Sequence, residues 1–528
     1  MLNYFKPEWI TPTEAQLRVD LCVYGGTSAG LVAAYRAAEL GLDVLVLNPG
    51  HHLGGLTAGG LGLTDHGRAH VIGGLSRQFY ERLGRHYGTD IAWYFEPSAA
   101  SAVFDEMIGE SRVVVRQFQY LDAVETQDGR ITAVRMLGGL RVEARCFVDA
   151  SYEGDLLAKA GVRYHVGRES NEVYGESLNG IQVRPMHQFV PAAVDPYRTV
   201  GDPDSGLLPQ VEPEDLRPRQ GQGDKRVQAY NFRVCMTDDP ELKIPWQKPD
   251  GYDPAEYELA ARWFAGPKDP YNDNHRAANP DVPAKFDVFP HLTAGGHRKT
   301  DTNNHGPVSS DFIGANWDWP EATYAERETI FQRHVAYQKG FYWFMANDPR
   351  VPERYRTAYG HWGLPRDEFK QTGHWPGQLY VRESRRMIGD YVITEADCMR
   401  PAGFTAPKDS VGMGSYTLDS HNCTRFVAEV DGRRVVMNDG DVQVPPTDPY
   451  PISYRAIVPG TGQCTNLIVP ICFSASHIAY GSARMEPVFM VLGEAAACAA
   501  YLAVRGDKDV QRVAYDKLQP LLAKSVLY

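Results

Sequence analysis

Apolar positions change period twice within the first fifty residues. Val19–Tyr24 (VDLCVY) is a short, nearly continuous apolar run, the pattern of a strand buried on both faces. Past a tight turn at Gly25–Gly30, residues Ala29–Leu40 read as a helix dense in small residues (Ala33, Ala34, Ala37, Ala38), with Gly41 placed as its C-terminal stop. Asp43–Leu47 (DVLVL) is a second buried strand. Strand, helix and strand in about thirty residues make a βαβ unit.

The later pattern predicts the rest of the architecture. Glu96–Glu110 is helical, with Val103, Phe104, Met107 and Ile108 along it. Val113–Val148 reads as several extended segments with a hairpin signal at Asp128-Gly129, a β-meander inserted between the second and third strands of the main sheet. Cys146–Ala150 is the strand that returns to that sheet. From 181 to 290 the chain is rich in Pro, Gly and Asp, and both PYRTVGDPDSG and the stretch around 268–290 are loop chemistry. Residues 321–346 predict one long amphipathic helix, with Ile330, Phe331, His334, Phe341 and Phe344 at helical spacing and Asn347-Asp348-Pro349 as its stop. The last strong helix is Pro487–Leu502. The fold expected is α/β: a Rossmann-type nucleotide-binding domain at 17–180 and 460–528, interrupted by an α+β substrate or cap domain at 181–459.

Composition narrows the partners. The chain has 528 residues and a formal net charge of −12, which argues against nucleic acid and against anionic membrane surfaces. No apolar run is expected to span a bilayer, and MLNYFKPEWITPTE has no signal-like apolar core. The eight cysteines form no C-x-x-C pair, so buried free thiols in a reducing cytoplasm are expected, and no metal-ligand spacing is present.

The candidate chemistry starts at GGTSAG. Gly25 permits the sharp turn out of the strand, Gly26 keeps it flexible, and Gly30 lets the helix approach the sheet. The free N–H groups at the helix N-terminus and the helix dipole suit a pyrophosphate, and Ser28 adds a hydroxyl donor. Two positions depart from the G-x-G-x-x-G pattern: Thr27 replaces the middle glycine, and Asn48 stands where an acid normally holds ribose hydroxyls. Three features favour a flavin over a nicotinamide: the glycine-rich run His51–Gly62 (HHLGGLTAGGLG), the strand end and turn in FVDASYEGDL, and the returning segment 474–500, whose Pro487 opens a helix beside Met485 and Glu486.

Together GGTSAG, HLGGLTAGGLG, VDASYEGDLLAKAGV, LYVRESRRMIGDYVIT and SARMEPVFMVLGEAAACAA resemble the FAD-dependent oxidoreductase family of the glutathione-reductase-like superfamily, and more distantly the fumarate-reductase type of flavoprotein. The resemblance covers most of the chain from about 19 to 505. It implies FAD on Gly25, Gly26, Thr27, Ser28, Ala29 and Gly30, on Asn48, on Gly54, Gly55, Leu56, Thr57, Leu61 and Gly62, on Ala150 and Ser151, and on backbone at Arg484, Met485 and Glu486. Relatives with covalent FAD use a histidine just before a threonine in this loop. Leu56 precedes Thr57 here, so non-covalent FAD is expected.

Flavin chemistry on a hydroxyl or amine needs a proton acceptor. His477 is the first candidate, and a hydrogen-bonded structural histidine is its alternative. His305, in KTDTNNHGPVSSDF beside Asn303, Asn304, Ser309 and Asp311, is the second. Arg382, with Arg385 and Arg386 around Glu383, either clamps substrate or belongs to an ion-pair cluster joining the domains. The reading is hydride transfer between flavin and a small polar, hydroxyl-bearing or sugar-like molecule, with an unidentified electron acceptor. Reduction of an activated double bond and a non-catalytic FAD scaffold are the rivals.

Overall fold

The computed structural model describes residues 2–189, 191–267, 282–283, 285–290 and 298–522. Most of the stretch around 268–290, read above as loop, lies outside the described residues.

A seven-stranded sheet organises the molecule. Its strands are β1 (Gln16–Tyr24), β2 (Val44–Leu47), β3 (Val114–Arg116), β4 (Leu121–Gln127), β5 (Arg130–Met136), β6 (Arg141–Asp149) and β7 (Leu467–Ile468). β1 lies between β2 and β6, parallel to both, and β3 extends the parallel edge beyond β2. β6 serves two neighbours along its length. Ala133–Arg135 of β5 run antiparallel to its first half, and β7 runs parallel to Phe147 and Val148 near its end. The hairpin β4–β5 turns at Asp128 and Gly129, both with positive φ (+50° and +73°), the backbone that an Asp-Gly turn signals.

The meander differs from expectation in one strand. Val114–Arg116 belongs to the parallel sheet itself, so the insertion is β4–β5 and follows a third parallel strand. Three residues with no buried side chain carry no period to read.

The helices that position the site are α1 (Ser28–Glu39), α2 (Gly55–Ala58), α3 (Gly74–His86), α4 (Pro97–Gly109), α5 (Tyr324–Asn347), α6 (His477–Ala483) and α7 (Glu486–Gly506). α5 begins at a capping box in which Thr323 and Glu326 bond each other's backbone N–H. Its exposed residues Ala325, Thr329, Arg333 and Ala336 fall on one stripe, and Phe341, Tyr342, Phe344 and Met345 lie inside, so it lays one broad face on the core as an amphipathic helix does. PYRTVGDPDSG folds as an exposed hairpin, Tyr197–Thr199 with Asp202–Leu207, turned by Gly201. Within the Pro- and Gly-rich stretch, Glu258–Ala265 forms a helix.

α7 is long and apolar enough to cross a membrane, with a mean hydropathy of 1.7, and 89% of that window is buried in the protein. The expectation that no run approaches bilayer length therefore fails on composition: this apolarity serves the core. α7 lies on α1, and a Cβ added at Gly493 would sit 2.3 Å from the carbonyl oxygen of Ala29. In an ordinary helix Gly→Ala stabilises by up to about 1 kcal/mol. Gly493→Ala is expected instead to destabilise by about 2 kcal/mol, because backbone must move to admit the methyl. Urea unfolding measures this, and a stabilised variant would contradict the close seating of α7.

Candidate active site

β1 ends at Tyr24 and the chain turns at Gly25, φ +104°, where a Cβ would lie 2.6 Å from the Ala150 carbonyl. Thr27, in place of the middle glycine, donates its hydroxyl to Ala150 O at 2.8 Å and accepts from Gly30 N–H at 3.2 Å. It therefore caps α1 and ties the turn to the end of β6. A Cβ at Gly30 would collide with Gly25 O at 2.0 Å. The backbone N–H groups of Ser28 and Ala29, in the first turn of α1, have no protein acceptor among the described residues. Free donors at the positive end of a helix fit a diphosphate.

Asn48 spends its amide on protein. Its Oδ1 accepts from Gly26 N–H at 2.9 Å and its Nδ2 donates to Gly50 O and His52 O, both at 2.9 Å. The side chain that was expected to meet ribose hydroxyls instead braces the turn against the loop after β2. Ala150 and Ser151 end β6. Ser151 Oγ donates to Asp149 Oδ1 at 2.7 Å and accepts from Gly154 N–H at 3.0 Å. A crevice of about 80 Å³ is lined by Gly25, Thr27, Asn48, His52, Ser151 and Glu153. Tyr4 walls it from the N-terminal segment, which Glu328 of α5 pins by accepting from the backbone N–H groups of Tyr4 (2.6 Å) and Phe5 (2.9 Å).

The glycine-rich run lies against the protein's own atoms. An added Cβ would meet Phe104 at Gly54, the Tyr152 hydroxyl at Gly55 and the Phe289 ring at Gly62, at 2.6, 2.3 and 2.4 Å. Leu56 and Thr57 lie within α2, and the Leu56 N–H donates to the Tyr152 hydroxyl at 2.8 Å. Leu61 is buried in the main core and its N–H donates to Leu56 O at 3.1 Å.

The returning tail starts at this turn. Met485 caps α7 and Glu486 is its first residue. One Glu486 carboxylate oxygen accepts from Ser28 Oγ and Thr57 Oγ1, both at 2.6 Å, and the other from the Tyr152 hydroxyl at 2.7 Å. Burial raises its pKa, and these hydroxyl donors oppose the shift. Four separate stretches of chain thus converge on a single carboxylate.

Arg484 points into a second, deeper cluster. Its Nη2 lies 2.8 Å from Asp419 Oδ2, and Asp419 lies 3.4 Å from His421 Nε2. His421 Nδ1 is 2.7 Å from Asp311 Oδ2, and Asp311 pairs with Arg382 at 3.0 Å. The result is one chain, Arg382–Asp311–His421–Asp419–Arg484, with every member less than a tenth exposed. Tyr380 lies beneath both guanidiniums, at 4.6 Å from Arg382 and 5.6 Å from Arg484. Arg382 also donates to Asn231 and Asn303, each at 3.2 Å, and to Ala229 O. Burial pushes both carboxyls up. The imidazole and guanidinium neighbours outweigh it and hold Asp311 and Asp419 below the usual carboxylate range.

The other sequence candidates lie elsewhere. His477, the first residue of α6, has Nδ1 at 2.8 Å from Glu383 and Nε2 at 3.0 Å from Ser420 Oγ, so both ring nitrogens are engaged. His305 packs edge-on against His187, ring centroids 5.8 Å apart, and His187 bonds Asp441. The arginines of VRESRRM divide: Arg382 enters the cluster, Arg385 pairs with Asp155 at 2.7 Å, and Arg386 pairs with Glu169 at 2.7 Å. His421 was missed. The local signal was Asp419 and His421 two residues apart, whereas Asp311 is 110 residues away. Glu96, Asp367 and Glu368 also gather their carboxylates, around the Lys299 ammonium, which supplies the positive charge there.

No curated protein sequence matches the chain. Solved structures with local similarity include OxyS anhydrotetracycline hydroxylase from Streptomyces rimosus, 16% identical over 33% of this chain and 36% of that one, with a TM-score of 0.24. L-proline dehydrogenase from P. horikoshii is 13% identical over 30% and 59%, with a TM-score of 0.25. Thermovibrio ammonificans THI4 is 18% identical over 29% and 66%, with a TM-score of 0.22. The match therefore spans less than two thirds of each of these neighbours. The model of one family, FAD dependent oxidoreductase, matches residues 20–522. The chain, a mixed α/β protein with a parallel Rossmann-type sheet, belongs to the FAD dependent oxidoreductase family.

Proposed function

We propose that this FAD-dependent oxidoreductase transfers a hydride between the flavin and a small, neutral, hydroxyl-bearing molecule. The FAD is held non-covalently by the Gly25–Gly30 turn. When bound, FAD supplies the hydride-accepting ring. The observation that carries the substrate reading is the charge balance of the buried cluster, in which two guanidiniums face two carboxylates around a single imidazole. A neutral substrate leaves that balance intact, whereas an added anion has no unpaired cation to meet there. Asn231, Asn303 and Gln228, bonded to the two arginines, offer amide groups that suit hydroxyls.

In this reading Arg382 and Arg484 orient the substrate, and His421 takes the hydroxyl proton while Asp311 fixes its ring. The burial of all five residues keeps water out. The cap domain, 181–459, contributes Arg382, Asp311, Asp419 and His421. The returning part, 460–528, contributes Arg484. His477 is read as a positioning residue, because hydrogen bonds with Glu383 and Ser420 occupy both its ring nitrogens, whereas His421 Nε2 makes no hydrogen bond among the described residues and has Asp419 only as an ion-pair neighbour at 3.4 Å. Double-bond reduction by an arginine acid is less well supported, since both arginines of the cluster are already paired with carboxylates. Eight buried, free cysteines support a cytoplasmic location.

Two outcomes test this. Acid precipitation is expected to release all flavin into solution, because Leu56 precedes Thr57 and the His52 Nε2 is engaged by Gly55 O at 2.8 Å. Flavin left in the pellet contradicts non-covalent binding. Mixed without air, polyols or sugars are expected to bleach the flavin, and His421→Asn is expected to slow that step about 100-fold with FAD affinity unchanged. A flavin that no alcohol reduces, but that enoates reoxidise once it is chemically reduced, contradicts the proposal.

A further inference from the structure

Among the described residues Glu153 is the only acid lining the nucleotide crevice, and it is 6% exposed. Its carboxylate receives no hydrogen bond or ion pair from any other described residue, and its own backbone N–H is the one donor beside it. The nearest guanidinium, Arg327, is held bidentately by Asp155 at 2.7 and 2.9 Å. An unpaired carboxylate this deeply buried costs stability, so a site that keeps one has a use for it. Another residue of the same lining gives that use. Asn48, where an acid is normally found, has its amide committed to Gly26, Gly50 and His52.

We propose that Glu153 is the hydroxyl-binding acid of the cofactor site, its two carboxylate oxygens accepting from a pair of neighbouring hydroxyls on the bound dinucleotide. This rests on the FAD reading above. Two parts of FAD carry such hydroxyls, the adenosine ribose and the ribityl chain, and they are separable by probe. Burial, opposed by Arg327 and reinforced by Asp155, raises the Glu153 pKa to about 7. Besides Arg327 on α5 and Asp155 and Asp149 on its own segment, Glu153 faces Tyr4 of the N-terminal segment and Tyr230. His51 and His52 line the same crevice.

Linkage sets two signs. The folded pKa is raised above the ordinary value of 4.5, so the contribution of Glu153 to the stability of the FAD-free protein is fully present below 4.5 and is lost as pH rises towards about 7. Accepting hydroxyl protons favours the ionised form, so FAD affinity rises with pH over the same window. The experiment compares wild type with Glu153→Gln, using FAD, ADP and riboflavin as probes and the melting temperature of the FAD-free protein as a second readout. The variant is expected to bind FAD about tenfold more weakly, to lose the rise in affinity near pH 7, and to melt higher than wild type at pH 8. Weaker ADP with unchanged riboflavin assigns the ribose, and the reverse assigns the ribityl chain. Unchanged FAD affinity overturns the proposal, and so does weaker binding with a lowered melting temperature, which marks a structural role. A wild type that takes up no FAD instead defeats the reading on which the proposal rests.

Discussion

The contact on which the rest depends is the hydrogen bond between Ser28 at the start of α1 and Glu486 at the start of α7, two residues 458 positions apart. Thr57 and Tyr152 share that carboxylate. The phosphate turn, the loop after β2, the end of β6 and the returning tail therefore meet at one anionic centre with no cation paired to it among the described residues. Three hydroxyl donors and the positive end of a helix stand in for one. The two helices then run together, and Gly493 over Ala29 sets how closely. Loss of this junction would uncouple the nucleotide crevice from Arg484, two residues before Glu486.

That short spacing sets two unlike polar environments side by side. On one side of Glu486 the site offers N–H groups, hydroxyls and a crevice walled by Tyr4 and Glu153. On the other, Arg484 opens an alternating chain of charges drawn from distant segments. Burial would make each of those charges costly alone, and pairing them along a line removes most of that cost. The price in adaptability is high, because removing one member leaves its neighbour buried and unpaired.

The βαβ opening was legible because its signals are local: a short apolar run, glycines at the turn, an alanine-rich helix. The tail helix was legible for the same reason, and its Pro487 marked the start to within one residue. Local signals also misled. The glycines at 54, 55 and 62 suggested close approach to a cofactor, and the close approach seen is to Phe104, Tyr152 and Phe289. Asn48 looked like a weakened ribose ligand and is a brace. The cluster around His421 was illegible because its partners, Asp311, Arg382 and Arg484, are far apart in sequence and no spacing rule joins them. Glu153 was quoted within a motif and left without a role, since only its lack of a partner in the fold singles it out.

The central claim is that the phosphate turn and the tail enclose the same cofactor. Amide hydrogen exchange with and without FAD tests it most directly. The account predicts that FAD slows exchange together at residues 25–30 and at 484–486. Slowing at the turn alone, with the tail unaffected, would contradict it.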